Sequence, residues 1–420
     1  MSAASPGGER VKHARRVSRR SSPAPGLTAE EIVANKVRQF GRSRREMVRA
    51  IARRSQKEVP SEVDKFFDPI ESGHWEEIKT EWDVLSKQSG QYDGSTYLPS
   101  LDPFWPAVLD AYGVAEQAHL WPAQKLLDYG NAILDSLRPG MVYVGGTDDG
   151  RWIPELLNET GDGESHIIVT QNAFADSRYL DFMNTLYGDR MATLTSEDSK
   201  RAFQEYTADA QKRLEHDQQF PNEPKQLGPG EDVRLVDGRV QVSGQVSVMA
   251  INERMFQMLL DKNPDLSFAI QQSFPFKSIY DSATTVGPIM EVRAQDGQNA
   301  LTADRAAQSV DYWRATTEQL LSDSQAADSS NQRKAYCKLA SEQAALLLSR
   351  NYTAEAEQTF RLATEMAPSS PEAVFPYVGL LAGQDRFEDA IPVVENAIKG
   401  SPENQQFRNL LEQLQNRKKN

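Results

Sequence analysis

The stretch MVYVGGTDDGRWIPELL, residues 141–157, decides the fold because the spacing of its apolar residues changes from that of a strand to that of a helix. A β-branched and aromatic run, residues 141–144, ends at two glycines and two aspartates, and a helical pattern follows. HIIVTQN, residues 166–172, and SRYLDFMNTLYG, residues 177–188, repeat this order. Strand, helix, strand, helix predicts a parallel sheet with helices on its faces.

The α/β region is predicted to cover residues 118–300, with a parallel or mixed sheet and flanking helices. A helix that closes at Pro139-Gly140 precedes the first strand, and a hairpin with an Asp237-Gly238 turn follows the second helix. The remaining predicted elements are helices near 197–216 and 248–264 and candidate strands in LSFAIQQSF, residues 266–274, and GPIMEVRA, residues 287–294.

Residues 28–90 predict a small N-terminal helical module. Thr28 and Glu31 form a capping box at its start, and apolar residues follow at helical spacing. A second helix is predicted after Gly41, a third with Ser61 as its N-cap, and a fourth in HWEEIKTEWDVLSKQ, residues 74–88. A loop rich in Gly, Ser, Pro and aromatic residues, residues 89–108, separates this module from the α/β region.

Composition places the chain among ordinary globular proteins. Of its 420 residues, 39% are apolar and 25% charged, and no apolar run approaches the length that spans a bilayer. Residues 1–60 hold 15 Lys and Arg against 5 Asp and Glu, so this segment carries +10 and the remainder −23. Residues 1–27, rich in Ser, Pro, Gly and Arg, are predicted to be a disordered basic tail. No apolar segment of a secretory signal follows it, so we expect a cytoplasmic protein, with an extracytoplasmic location as the alternative.

Residues 301–420 are predicted to be all helical and contain a repeat. AEQTFRLATEMAP begins at Ala356, and AIPVVENAIKGSP begins one repeat later at Ala390. The order A-x3-F-x2-A-x4-P resembles the second helix of a tetratricopeptide repeat, in which small residues let two helices pack closely. The interval between the copies also agrees with the tetratricopeptide period of about 34 residues. The matching pairs are Ala356 and Ala390, Phe360 and Val394, Ala363 and Ala397, Pro368 and Pro402.

The first helix of each repeat departs from the tetratricopeptide pattern. The usual Trp and Gly are replaced by Ala340, Ala344 and Leu347 in one copy and by Val374, Val378 and Leu381 in the other. Two repeats are at or below the usual minimum for a freestanding stack. We therefore expect the C-terminal helices to dock on the α/β region.

Two polar turns follow the first two predicted strands, and they provide every candidate ligand-binding residue. Ligands of open parallel sheets bind outside the carboxyl ends of the strands. If the two strands are parallel neighbours, the two turns lie side by side. The candidates are Gly145, Gly146, Thr147, Asp148, Asp149 and Arg151 in the first turn, and Gln171, Asn172 and Asp176 in the second.

Three interpretations of the first turn are open. Successive backbone N–H groups after the glycines could bind an anion, although Asp148 and Asp149 would repel a bare phosphate. The two carboxylates could instead hold a divalent metal that bridges to phosphate, or they could cap the following helix. Pro154 predicts that this helix begins no earlier than about Arg151, which leaves the aspartates in the loop or at the cap. Asn172 and Asp176 have the same alternative, as caps of the next helix.

Known cofactor and catalytic motifs are absent from the sequence. It contains no Walker sequence, no G-x-G-x-x-G before a helix and no G-x-S-x-G elbow at this turn. The five histidines show no metal-ligand spacing. The single cysteine, Cys337, lies in a helical pattern and is interpreted as a small buried apolar residue. We accordingly predict no cofactor, no metal and no assigned catalytic residue.

At the two turns the sequence resembles a known group of proteins. GMVYVGGTDDGRWIPELL and HIIVTQNAFADSRYLDFMNTLYGDR are similar to the core of uncharacterised bacterial tetratricopeptide-repeat proteins with G-G-T-D-x-G-R and I-T-Q-N-x-x-A-D turns. A more distant similarity is to the soluble region of bacterial protein O-mannosyl-transferase-like membrane proteins. That similarity implies an accessory domain for glycan or peptide binding rather than a complete transferase.

The sequence predicts a non-enzymatic interaction or scaffold protein, in which the C-terminal helical repeats bind a protein or peptide. The alternative is an enzyme or a ligand-binding domain for a glycan, metal or nucleotide, with its site at Asp148, Asp149, Asn172 and Asp176. Nucleic acid is a disfavoured partner, because no aromatic residue lies among the arginines of the tail.

Overall fold

The structure is a computed structural model that describes residues 26–92, 94–236, 238–292, 301–322 and 330–419. Within these ranges the chain forms 15 α-helices and seven β-strands. The combination of a largely helical chain with a small mixed sheet agrees with the predicted mixture of helical and α/β regions. Most of the basic tail, residues 1–25, lies outside the described residues, so the prediction of disorder there stays a prediction.

Five helices precede the sheet. The predicted capping box of Thr28 and Glu31 is present at the start of the first helix. The sequence prediction missed the fourth of these five helices, because its first residues were assigned to a loop rich in Pro and aromatic residues. The helices are α1 (Ala29–Ser55), α2 (Ser61–Ser72), α3 (Trp75–Ser86), α4 (Trp105–Leu120) and α5 (Ala123–Leu134).

Two of the predicted N-terminal boundaries are wrong. Gly41 does not separate two helices, because α1 continues through it. Its missing side chain serves packing instead: a Cβ there would lie 2.5 Å from Cγ2 of Ile70 on α2. Ser61 is the first residue of α2, and Pro60 occupies the N-cap position without a side-chain hydrogen bond.

The main sheet is mixed and has five strands in the order β2-β1-β5-β7-β6. Strand β1, the second in this order, is parallel to both of its neighbours, and β7 is antiparallel to both of its own. The strands predicted at residues 141, 166, 266 and 287 are present, and β6 was not predicted. The five strands are β1 (Val142–Gly145), β2 (Ile167–Thr170), β5 (Phe268–Ile270), β6 (Ala283–Val286) and β7 (Ile289–Val292).

The helix after β1, α6 (Asp148–Glu159), begins earlier than Pro154 predicted. Thr147 is its N-cap and accepts a hydrogen bond from the backbone N–H of Gly150. A proline in a helix leaves the carbonyl four residues before it without its usual donor. Here that carbonyl belongs to Gly150, and the Tyr143 hydroxyl of β1 donates to it at 2.6 Å. The helix therefore contains Pro154 without an unsatisfied carbonyl.

Three more helices and a hairpin complete this region. The predicted hairpin is present as β3 (Asp232–Val236) paired antiparallel with β4 (Arg239–Ser243), and it forms a separate two-stranded sheet. The helices are α7 (Ser177–Tyr187), α8 (Ser196–Gln219) and α9 (Gly244–Lys262).

The C-terminal part is helical and packs on the sheet. Gln343 of α11 connects the two regions, because its amide nitrogen donates to the carbonyls of Gly287 and Ile289 beside β7. Its amide oxygen accepts from Ser309 and Trp313 of α10. The helices are α10 (Ala303–Ser322), α11 (Ser330–Ser349), α12 (Thr353–Met366), α13 (Pro371–Gly383), α14 (Phe387–Gly400) and α15 (Gln405–Lys419).

A backbone feature of these helices recurs at the interval of the sequence repeat. Asn351 and Asp385 both adopt positive φ angles, 65° and 57°, before α12 and α14. The six repeat positions within α12 and α14 are fully buried. One core of buried apolar side chains extends from Val33 of α1 to Ala373 of α13, and a second cluster lies among α11 to α15. The C-terminal helices thus share a core with the sheet.

Candidate functional site

The carboxyl ends of three parallel strands meet at one edge of the sheet. Gly145 at the end of β1 is in register with Thr170 at the end of β2, and β5 ends on the other side of β1. The two predicted polar turns are therefore neighbours. A third polar segment, residues 271–273 after β5, joins them, and the sequence analysis did not include it among the candidates.

Side chains of the protein already occupy the backbone N–H groups of the first turn. The Gln271 amide oxygen accepts from the N–H groups of Gly146 and Thr147 at 2.9 and 3.0 Å. The N–H of Gly150 donates to Thr147. An anion would have to displace these bonds, so the geometry does not favour the anion-binding interpretation.

The glycines of this turn are required by close packing. A Cβ on Gly146 would lie 2.2 Å from the backbone nitrogen of Ser273, and one on Gly150 would lie 2.1 Å from the Gln271 amide oxygen. A Cβ on Gly145 would lie 2.7 Å from the Gly150 carbonyl. The Gly-Gly pattern thus lets the end of β1 approach the segment after β5, and it needs no ligand to explain it.

The second turn is bonded to both of its neighbours. The Asn172 side chain donates to the Gly146 carbonyl and accepts from the Ser273 hydroxyl. Gln171 is buried and its amide nitrogen donates to the Ser273 hydroxyl at 3.2 Å. Asp176 lies further along, as the N-cap of α7, where it also pairs with Arg178. Asn172 and Gln171 therefore hold the three turns together, and Asp176 caps a helix.

Arg151 points away from the turns into a buried ion cluster. We use this name for five side chains: Arg44, Asp110, Arg151, Glu155 and Glu159. Arg44 contacts Glu155 and Glu159 at 2.7 and 2.6 Å. Its Nε lies 3.4 Å from Asp110, which also accepts from Arg151. This cluster joins α1, α4 and α6, and it takes Arg151 out of the candidate ligand site.

Three predicted residues, the N-cap Thr147 with Asp148 and Asp149 after it, line an open cleft. The two aspartates lie in the first turn of α6 at one wall of this cleft of about 580 Å³, which we call the acidic cleft. The opposite wall comes from α11, from the start of α13 and from the segment between α14 and α15. Its polar side chains include Asn331, Lys334, Lys338, Ser370, Glu372 and Asn404.

The environment of the cleft perturbs its carboxyl groups. Poor solvation, together with the neighbouring Asp149, raises the pKa of Asp148. Poor solvation also raises the pKa of Asp149, against the effect of Thr147 and Lys338. Glu342 of α11, which lines a second, adjoining cavity, has its pKa raised to about 8 by burial, although Lys338 opposes the shift. Clusters of perturbed carboxyl groups in a cleft are typical of functional sites.

A second cavity, of about 390 Å³, adjoins the acidic cleft and shares Lys338, Pro371 and Glu372 with it. We call it the apolar pocket. Its apolar side chains are Phe274, Pro275, Tyr280, Ala345, Phe375 and Pro376. Its polar side chains include Gln272 and Glu342, whose carboxylate accepts from the Gln272 backbone N–H at 2.7 Å.

Sequence reasoning missed the residues of α11 and α13 that line these cavities. They lie far from the Asp148 turn along the chain, and no local motif links them to it. The repeat assigned Ala340, Ala344 and Leu347 to helix packing, and these are buried. Lys338, Glu342 and Ala345 recur at spacings of four and three on another face of the same helix, which was the available signal.

A reactive thiol and a metal centre would be two further kinds of site in the part of the chain that the structure describes. Cys337 is buried, as predicted, and burial raises its pKa to about 12. Among the residues that the structure describes, no group of three or more His, Cys, Asp and Glu side chains could hold a metal ion. No helix in the described ranges is both long and apolar enough to cross a membrane.

Comparisons of the chain with protein-family models, with curated proteins and with solved structures found no match.

Proposed function

We propose that this chain is a non-enzymatic binding protein that holds a peptide segment of a protein partner. The peptide lies between the carboxyl edge of the sheet and the helices α11 and α13. The observation that carries the proposal is the pair of adjoining cavities, which α11 and α13 line together with the turns of the sheet. Clefts of this size with a few convergent polar groups are the usual form of binding sites.

The C-terminal helices support a tetratricopeptide-like arrangement. The Tyr352 N–H donates to the Leu347 carbonyl, and the Arg386 N–H donates to the Leu381 carbonyl at the equivalent positions of the next repeat. The small residues of the repeat are buried in the same phase. In this arrangement α11 and α13 are the first helices of successive pairs, and repeat proteins of this kind bind peptides on such surfaces.

A peptide fits the cavities better than a phosphate-containing ligand does. The N–H groups of Gly146 and Thr147 are bonded to Gln271, so the turn offers no free anion site. The cleft instead presents carboxyl groups, and the adjoining pocket presents apolar walls. An extended peptide can place a polar or charged side chain in the cleft and an apolar side chain in the pocket.

The test is selection of peptides from a displayed random library on the full-length chain. The affinities of the enriched peptides are then measured for two variants that alter the acidic cleft and the apolar pocket. Glu372→Lys reverses a charge at the boundary of the two cavities, and Ala345→Phe fills the apolar pocket. We expect each to weaken binding by about tenfold or more.

Glu412→Lys is the matched control, because it makes the same charge change at an exposed position on α15. It should leave affinity within about twofold, since an exposed charge far from an interface contributes little. Point variants are preferable to removal of residues 301–420, because the main core continues from the sheet into α10–α13. The proposal fails if no peptide is enriched. It also fails if Glu372→Lys and Ala345→Phe bind the enriched peptides with the same affinity as the unaltered chain.

A further inference from the structure

We propose that the peptide ligand has a basic side chain next to a bulky apolar one, with the basic group in the acidic cleft and the apolar group in the apolar pocket. This inference rests on the proposed function and specifies the ligand of the same site.

Charge complementarity favours a cation in the acidic cleft. The side chains that line the acidic cleft include three carboxyl groups, from Asp148, Asp149 and Glu372, and two ammonium groups, from Lys334 and Lys338. The Lys338 ammonium group already donates to the Ser273 carbonyl at 3.2 Å. Negative charge is thus in excess where the cleft is open.

Solvation points in the same direction. Poor solvation raises the pKa values of Asp148 and Asp149 above their usual range, so water compensates these two carboxylates incompletely. A guanidinium or ammonium group of a ligand would supply the missing hydrogen-bond donors and positive charge. An anionic ligand would add repulsion to the same groups.

The apolar pocket contains a separate indication of a ligand. Gln272 is 1% exposed, and its amide nitrogen has no hydrogen-bond partner among the described residues. Its amide oxygen accepts from Tyr280 at 3.2 Å, which fixes the orientation of the side chain. A buried donor without a partner is unfavourable, and an acceptor brought into the pocket would remove that cost.

A peptide provides the acceptor and the apolar group together. The pocket volume of about 390 Å³ accommodates a Leu, Phe or Trp side chain, and the main-chain carbonyl of the ligand can accept from Gln272. Because the cavities share Lys338, Pro371 and Glu372, side chains close in sequence can occupy both. The juxtaposition therefore fits a basic residue adjacent to a bulky apolar residue.

The experiment measures fluorescence anisotropy of three labelled hexapeptides with blocked ends and the full-length chain. All have a Gly and Ser background, and their central pairs are Arg-Phe, Glu-Phe and Arg-Ser. We expect Arg-Phe to bind best and each of the others to bind about tenfold more weakly or worse. Added salt should weaken Arg-Phe binding, because its cation contacts are screened.

Two variants assign the preference to the two cavities. Asp148→Asn with Asp149→Asn should remove most of the difference between Arg-Phe and Glu-Phe. Gln272→Leu, which keeps a similar volume without the donor, should weaken both Phe peptides by a similar factor and leave the charge preference. Circular dichroism of each variant checks that it is folded.

The outcomes separate this inference from the proposed function. One outcome is that the library enriches peptides whose binding is weakened by Glu372→Lys and Ala345→Phe, while Glu-Phe binds as well as Arg-Phe. In that case the inference is overturned and the proposed function stands. If Arg-Ser binds as well as Arg-Phe, the apolar half of the inference is wrong. If the library enriches nothing and none of the three peptides binds, both are overturned.

Discussion

Helix α6 belongs to two groups of charged side chains that differ in one respect. Its first turn brings Asp148 and Asp149 to the acidic cleft, and its later turns bring Arg151, Glu155 and Glu159 to the buried ion cluster. Both groups contain carboxyls with raised pKa values. In the cluster the carboxylates meet arginines of the same chain, whereas in the cleft they meet open space.

The difference shows how a charged residue is recognised as structural or as available for binding. Arg44 is fully buried and contacts three carboxylates from two other helices. Both of its Nη atoms donate to Glu155 or Glu159, and its Nε, which makes no hydrogen bond to a described residue, lies 3.4 Å from Asp110 in a fully buried position that no ligand reaches. Asp148 lines the cleft, whereas Arg151, three residues further along α6, pairs with Asp110 and Glu155 instead of with it. We therefore expect changes in the cluster to affect stability and changes in the cleft to affect binding.

The largest effect should follow Arg44→Met. This change removes the cation between Asp110, Glu155 and Glu159 and leaves Arg151, which contacts Asp110 and Glu155, as the remaining cation of the cluster. Removing one partner from a buried ion pair typically costs about 3–5 kcal/mol. Urea denaturation followed by circular dichroism should show a loss of this size.

Arg42→Met is the matched control, because Arg42 is an exposed arginine of the same helix with one distant ion pair, 3.6 Å to Glu71. Its loss should be within about 1 kcal/mol. Equal losses for the two variants would contradict the distinction between the cluster and the surface.

The second effect is the pH dependence of stability that Glu155 causes. Burial and Asp110 raise the pKa of this carboxyl to about 8, against the effects of Arg44 and Arg151. The unfolded chain releases this proton at a lower pH than the folded chain does. The contribution of Glu155 to stability is therefore complete below about pH 4 and is lost as the pH rises to about 8.

Glu155→Gln removes this ionisable group, so it no longer contributes to the difference in bound protons between the folded and the unfolded chain. The fall in unfolding free energy between about pH 5 and pH 8 should become less steep, by at most about 1.4 kcal/mol per pH unit for one group. Denaturation curves of both proteins at several pH values measure the two slopes. Identical slopes would show that Glu155 is ionised in the folded chain.

A smaller loss is expected for Gly146→Ala, which tests the close packing of the turn beside the cleft. The added methyl group would meet backbone atoms of Ser273 and Gln271 at 2.2 and 2.5 Å. Overpacking of this kind costs about 1–3 kcal/mol. Gly379→Ala, in the interior of α13 with nothing within 4 Å of the new carbon, should instead stabilise the chain by about 0.5–1 kcal/mol. Thermal denaturation distinguishes the two signs.

The same comparison explains what the sequence could predict. The run of apolar residues before Gly145 and the helical spacing after it are local, so the strand, the turn and α6 were predicted. The start of α6 was wrong because the donor that compensates for Pro154 is Tyr143, on another element. Local sequence rules account for the N–H donor that a proline lacks. They do not show which side chain of another element supplies a donor in its place.

The candidate site was predicted in part for the same reason. The turns after β1 and β2 were expected to be neighbours, and they are, because parallel strands end at one edge. The role of Gly146 in packing against Ser273 and the approach of Lys338 and Glu342 depend on contacts between distant parts of the chain. No spacing in one sequence encodes those contacts.

The smallest effect on stability should follow Asp148→Asn, the change that tests the cleft most directly. The side chain lies in the first turn of α6, where the helix dipole favours its charge by at most about 0.5 kcal/mol, and the poor solvation that raises its pKa acts in the opposite direction. Asp304→Asn in the first turn of α10 is an equivalent change outside the cleft. The two variants should have closely similar unfolding free energies, but only Asp148→Asn should weaken binding of the Arg-Phe peptide, by severalfold. If the two variants bind the Arg-Phe peptide with equal affinity, the arginine of the peptide does not contact Asp148. The contrast between the buried ion cluster and the acidic cleft would then not extend to binding.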